Sequence, residues 1–276
     1  MLADYHVHTE YSDDSVYPME CVAADAVRLG LDELCFTDHV DYGVKQDWDS
    51  GHPIEYRNGD PLANVDYPRY LEKIKEIQSL YGEKLRIRAG LEFGVQTHTI
   101  PLFRSLYHRY PLDFIILSIH QVQDQEFWTQ DFQRGKTQQE YNEQYYEEML
   151  SVIQKYKDYS VLGHLDLIVR YDRHGVYPFQ NVKPLVDEIL KTAIADGKGI
   201  EVNTSSYRYG LSDTTPSVEI LKRYKELGGS ILTIGSDSHK PEHLGAYLKE
   251  TQELLKGLGY SYFCTYERME PVFHRL

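Results

Sequence analysis

Seven times along the chain a short apolar run gives way to an amphipathic helical segment, and no other feature restricts the fold as strongly. The runs are LADYHV, LDELCFT, KLRIRAGLEF, DFIILSI, YSVLGHL, GIEVNT and SILTIGS. The helical segments begin at PMECVAADAVRLG, with Pro18 in the first turn and Gly30 at the end, and close with EHLGAYLKETQELLKGLG. Strands that alternate with helices imply parallel pairing, and this many units predicts an α/β chain closed into a barrel, with an open doubly wound sheet as the alternative. A last run, YSYFCTY, predicts a further strand. No linker rich in Pro, Gly or Ser interrupts residues 1–276, which are therefore expected to form one domain. The segment from Asp41 to Asp66 is long for a βα connection, as lid-like or functional loops are.

The polar residues with metal-binding chemistry sit at the carboxyl ends of these strands. His6 and His8 end the first and, one residue apart on a strand, point the same way. Asp38 and His39 end the second, Glu92 the third, His120 the fourth, His164 and Asp166 the fifth, Asn203 the sixth, and Asp237 and His239 the seventh. In a parallel barrel these ends share one face, where active sites are built. A lone histidine after a strand is usually a hydrogen-bonded structural residue, and Asp38 reads as a loop cap; the coincidence of six strand-end histidines is what argues for a site.

Imidazole and carboxylate without cysteine favour Zn, Mn or Fe over a structural thiolate zinc. His6, His8, His39, Glu92, His120, His164, Asp237 and His239, with an aspartate from SDDS (Asp13 or Asp14), exceed the roughly four protein ligands that one tetrahedral ion takes. Two or three divalent transition-metal ions sharing a bridging carboxylate fit the set, and clustered metals suit displacement at phosphorus. The formal charge of −14 argues against a nucleic-acid surface and demands local cations for any anionic substrate. The three cysteines form no CxxC pair, no leader opens the chain, and no apolar run approaches the roughly 18 residues of a membrane span, so a cytoplasmic protein without a membrane partner is expected.

The series HxH, TDH, strand-end Glu, SIH, GHxD and SDSH resembles the PHP superfamily, named for polymerase and histidinol phosphatase domains, over essentially the whole chain. VLGHLDLIVRY, GIEVNTSSYRYG and ILTIGSDSHKPEHLG resemble its histidinol-phosphate phosphatase branch. The resemblance implies a distorted seven-stranded β/α barrel holding up to three metals. It also implies ligand roles: His6, His8, Glu92 and Asp237 for one ion, Glu92 bridging to a second completed by His120 and His164, and His39 and His239 for a third. The last ligand of the third site falls at Asp14, where many relatives have histidine.

Resemblance and ligand count together imply phosphomonoester hydrolysis by a hydroxide bridging two ions, with L-histidinol phosphate as substrate in histidine biosynthesis. Glu92 and Asp237 are the expected catalytic carboxylates, Asp237 or a water on it giving the leaving alkoxide its proton. Arg170 and Arg208 follow ligand-bearing strands and are candidates for a bidentate phosphate clamp. Asp47, Asp49, Glu55 and Asp60 with Trp48, and Glu126 and Asp131 with Trp128, offer carboxylates and an indole for the substrate's ammonium and imidazole. An amidohydrolase-type barrel, a PHP-type phosphoesterase for phosphotyrosine or another monoester, and a metal-stabilised binding module are the competing readings.

Overall fold

The computed structural model describes residues 1–57 and 59–276. Seven parallel strands form its centre: β1 (Ala3–Val7), β2 (Glu33–Phe36), β3 (Arg86–Gly94), β4 (Phe114–Ser118), β5 (Val161–Leu162), β6 (Gly199–Asn203) and β7 (Leu232–Gly235). They pair in sequence order. The circle closes where the His8 amide donates to Ser238 O (2.8 Å) and the Ser238 amide to His6 O (3.2 Å). That closure selects the distorted seven-stranded barrel over an open sheet. The strands are apolar runs because helices cover the barrel's outside and side chains fill its inside.

β3, with nine residues, sits beside two segments in turn. Its first half pairs with β2, Phe36 opposite Ala89, and its second with the short extension His39–Val40, His39 opposite Glu92. The register therefore sets two expected ligands side by side. Gly235 allows β7 to meet β1, since a Cβ there would overlap the His6 side chain and Glu201 Oε1.

Around the barrel run α1 (Met19–Leu29), α2 (Tyr67–Tyr81), α3 (Ile100–Arg109), α4 (Gln138–Lys155), α5 (Phe179–Ala195), α6 (Val218–Glu226) and α7 (Leu248–Gly257). Gly30 ends α1 in the left-handed conformation, φ 76°, which a side chain would resist. A capping box of Thr137 and Glu140 starts α4. The helix predicted from Glu242 begins only at Leu248. Before it, Gly245 (φ 70°) and Tyr247 (φ 59°) turn the chain, and the Gly245 amide donates to Asp4 Oδ2 (3.0 Å) instead of joining a helix.

The last predicted strand exists, but outside the barrel's parallel set. β8 (Tyr262–Glu267) pairs antiparallel with β9 (Glu270–Arg275). This hairpin plugs the barrel at the strands' amino-terminal ends. The Tyr5 hydroxyl donates to Glu33 Oε1 (2.5 Å) and accepts from the Tyr266 amide (2.8 Å). The rings of Tyr5, Phe114 and Tyr266 meet at 5.0 Å centroid spacings. Among the described residues no helix is long and apolar enough to cross a membrane.

Candidate metal centre

The strand-end residues converge on Glu92, which is buried. Its Oε2 lies 3.1 Å from His6 Nε2, 3.5 Å from His8 Nε2 and 3.0 Å from His39 Nδ1. Its Oε1 lies 2.8 Å from His164 Nε2 and 3.1 Å from His120 Nε2. Asp237 Oδ1 approaches His8 Nε2 and His239 Nδ1, each at 3.5 Å. Asp14 Oδ2 faces His239 Nε2 at 3.0 Å and His39 Nε2 at 3.6 Å, whereas Asp13 turns away to pair with Lys45 (2.6 Å). The geometry thus separates the two neighbouring aspartates that the sequence left as alternatives.

His6 Nε2, His8 Nε2, His39 Nδ1, His239 Nε2 and Glu92 Oε2 are buried and have no hydrogen-bond partner among the described residues. A buried polar atom without a partner costs about 1–3 kcal/mol, so five around one point call for a ligand that accepts electron pairs. Subsets of these residues, such as His6, His8 and Asp237, or His8, His39 and His239, bring donor atoms mutually within 4.8 Å, as ion binding requires. The donor set of imidazoles and carboxylates fits divalent transition-metal ions.

Four of these side chains are held from behind. Glu201 Oε1 accepts from His6 Nδ1 at 2.5 Å, Ser12 Oγ lies 3.1 Å from His8 Nδ1, and Asp41 Oδ1 lies 2.7 Å from His120 Nδ1. Ser118 donates to Glu92 Oε1 (2.6 Å). Such partners fix ring orientation and make imidazoles better donors. Sequence reasoning missed Glu201, Asp41 and Ser118. Glu201 was the most findable: an acid in the middle of a buried strand needs a partner. Gly94 serves the same arrangement, because a Cβ there would overlap Asp41 Oδ1 and crowd His120.

Burial works against charge on Glu92, yet His6, His120 and His39 hold its carboxyl well below the ordinary range. Asp237 is likewise depressed against its burial, chiefly by His6 and His8 and then by Arg170. His164 (φ 22°) and Asp237 (φ 55°) occupy the left-handed region, a cost of about 1–3 kcal/mol each that functional sites often carry.

The other expected residues divide. Arg170 lines the cavity above Glu92: Nη2 donates to Asp237 Oδ2 (3.3 Å) and to Ser205 Oγ, its plane lies 4.2 Å from the Tyr209 ring centroid, and its buried Nε is unpartnered. Arg208, in contrast to its expected place, spends its guanidinium on backbone carbonyls, Nη1 on Ser236 O (2.7 Å) and Nη2 on Asp237 O, and does not line the cavity. Asp38 caps the loop after β1, accepting from the Thr9 amide (2.7 Å) and Ser12 Oγ (2.8 Å). Asp166 accepts from the Ser217 amide (2.9 Å), away from the metal-type cluster.

The cavity holds about 410 Å³. Asp60, Glu126 and Trp128 form part of its wall. Trp48, Asp47, Asp49, Glu55 and Asp131 do not; Asp47 is occupied by the hydroxyls of Tyr42 and Tyr67, both at 2.7 Å, and Asp49 by Arg109.

This arrangement has counterparts. A histidinol-phosphatase from Lactococcus lactis is 28% identical over 273 residues, 97% of this chain and 95% of that one. A Thermotoga maritima protein described as a probable histidinol-phosphatase is 25% identical, covering 95% of this chain and 94% of its own. The crystal structure of histidinol phosphate phosphatase from L. lactis, complexed with zinc, L-histidinol and phosphate, matches with a TM-score of 0.85 at 27% identity and 98% coverage of both chains. A Listeria monocytogenes structure, 20% identical, shares the fold with a TM-score of 0.74 over 90% of this chain and 99% of that one. The model of the PHP domain family matches residues 4–205, from the strand that carries His6 to the loop beyond Asn203, and the chain belongs to that family.

Proposed function

We propose that this protein is a metal-dependent histidinol-phosphatase that hydrolyses L-histidinol phosphate to L-histidinol and phosphate in the cytoplasm, with no nucleic-acid or membrane partner. The observation that carries the reading is the gathering of nine metal-type side chains in one cluster, five imidazoles of it around Glu92, with unpartnered donor atoms facing one another. Its likeness to a phosphatase structure containing zinc, histidinol and phosphate supports the substrate. Three free cysteines, Cys21 among them exposed, suit a reducing compartment.

His6, His8, Glu92 and Asp237 would hold one ion, Glu92, His120 and His164 a second, and Asp14, His39 and His239 a third. Bound there, such ions lower the pKa of water and offset the charge of phosphoryl oxygens. Arg170 supplies a cation in the cavity wall beside Asp237, and its guanidinium is the clamp for phosphate. Tyr209 and Ser205 hold that plane in place. Arg208 acts as a positioning residue, fixing the Ser236 and Asp237 carbonyls and with them the Asp237 carboxylate. Asp237, kept ionised, would take the proton of the attacking water and return it to the leaving alkoxide, while Glu92 and the ring nitrogens around it would hold the ions beside the reacting phosphorus.

The test is kcat/KM of zinc-loaded protein for L-histidinol phosphate against phosphoserine and glycerol phosphate. The expected preference is about two orders of magnitude or more, because specificity is differential binding of the transition state. A flat profile would leave a metal phosphoesterase and remove histidinol phosphate from the reading.

A further inference from the structure

The wall of the same cavity contains a further cation besides Arg170. Arg57 belongs to the short hairpin Tyr56–Arg57 with Asp60–Pro61, inside the long connection between β2 and α2. Its Nη1 donates to Glu126 Oε2 at 2.7 Å, and its guanidinium carbon lies 5.5 Å from the Trp128 ring centroid. Glu126 and Trp128 come from a different connection, the one after β4, so the contact crosses the mouth between two loops. All three residues line the cavity that Glu92 and Arg170 line. A carboxylate and an indole face around one positive charge are the chemistry that recognises ammonium and imidazolium groups.

We infer that Glu126 and Trp128 form the subsite for the cationic tail of the substrate, and that Arg57 is its resident occupant, displaced when the tail enters. The inference rests on the histidinol-phosphatase reading, which supplies a tail carrying an ammonium and an imidazole. Displacement is cheap. The Arg57 side chain is 38% exposed, a two-stranded hairpin has little stability of its own, and a solvent-facing ion pair is weak. An occupied subsite still lowers apparent affinity by the fraction of time it is closed, so Arg57 tunes KM and screens out monoesters whose tails cannot compete for Glu126.

The experiment compares zinc-loaded wild type, Arg57→Gln, Arg57→Lys and Glu126→Gln by the ratio of kcat/KM for L-histidinol phosphate to kcat/KM for glycerol phosphate, with zinc content measured alongside. Arg57→Gln should raise the ratio on the order of fivefold through KM, the combined scale of a partly exposed ion pair and a cation–π contact. Arg57→Lys, which keeps the charge, should stay near wild type. Glu126→Gln should lower the ratio about tenfold, since it removes the charge-assisted partner of the tail. A ratio unchanged or lowered in Arg57→Gln overturns the displacement, even if wild type prefers histidinol phosphate. A wild type with no such preference brings down both this inference and the functional reading. Should Arg57→Gln fold poorly, Trp128→Leu reads the same subsite, and a ratio unchanged there overturns the inference.

Discussion

At the floor of the barrel the buried Glu33 receives Arg86 Nε (3.0 Å), Arg88 Nε (3.1 Å) and the Tyr5 hydroxyl (2.5 Å). At the mouth the buried Glu92 faces five imidazoles, and its Oε2 and several of their nitrogens lack hydrogen bonds. Both ends bury a carboxylate on or beside the same strands, yet only the floor balances it within the protein. A charge satisfied by protein donors holds elements together, whereas one ringed by unpartnered donors waits for a ligand. The division matches the general one in such barrels, with stability at the amino-terminal face and chemistry at the carboxyl-terminal face.

The largest expected effect comes from Glu92→Gln. Removing the carboxylate shared by the cluster should cut phosphate release on the order of 10³-fold, several kcal/mol of barrier, and lower zinc per chain in elemental analysis. Full zinc content with near-normal turnover would remove Glu92 from the centre of the site. Next, Glu33→Ala removes the acceptor that Arg86, Arg88 and the Tyr5 hydroxyl share at the floor, although Tyr5 keeps the Tyr266 carbonyl and Arg88 keeps Glu267, and should cost about 2 kcal/mol, roughly 4–8 °C in Tm by calorimetry. Zinc content and KM should stay put; a change in either would mean that the two ends are coupled.

A smaller effect concerns protons. Burial alone would keep the His120 ring neutral, but Glu92 and Asp41 outweigh it and push the pKa up to about 9 in the metal-free protein. The ring therefore carries a proton below that pH, and zinc must displace it. Apparent zinc affinity should rise with pH by up to about tenfold per unit through this group, levelling above pH 9. Competition titrations at pH 6, 7 and 8 read the slope, and zinc affinity independent of pH over this range would rule out His120 as a ligand. Smallest is Asp14→Ala. The Asp14 side chain is half exposed, at 52%, and among the described residues pairs with His39 and His239 at the edge of the cluster, so activity should fall about tenfold, well short of Glu92→Gln. Equal losses in the two would erase the distinction between a shared and a peripheral carboxylate.

Much of the mouth was legible because its residues follow apolar runs, and a parallel barrel gathers strand ends. Eight of the nine ligand-type residues follow from that rule, whereas Asp14 sits in the loop after β1 and was reached only through the family resemblance. What resisted reading depends on contacts across long separations. Glu201 matters through His6, 195 residues away, and no local pattern announces that pairing. Arg208 has the same local setting as Arg170, the fourth residue of a short helical turn after a strand, yet one reaches the cavity and the other the backbone just past β7. The break before α7 was hidden because EHLGAYL keeps helical periodicity, while Asp4 takes the Gly245 amide from outside the segment.

The plug at the floor also dictates an order of events. Tyr5 and Tyr266 lie 261 residues apart in the chain. During synthesis at about 5–20 residues per second, β1 therefore waits roughly 10–50 s for the strand that seals its lower end. Contacts of such separation are costly to form early, so the barrel's lower rim is expected to close last in folding. Until then Tyr5 and Phe114 present aromatic faces to solvent, and a nascent chain at that stage is a natural client for chaperones.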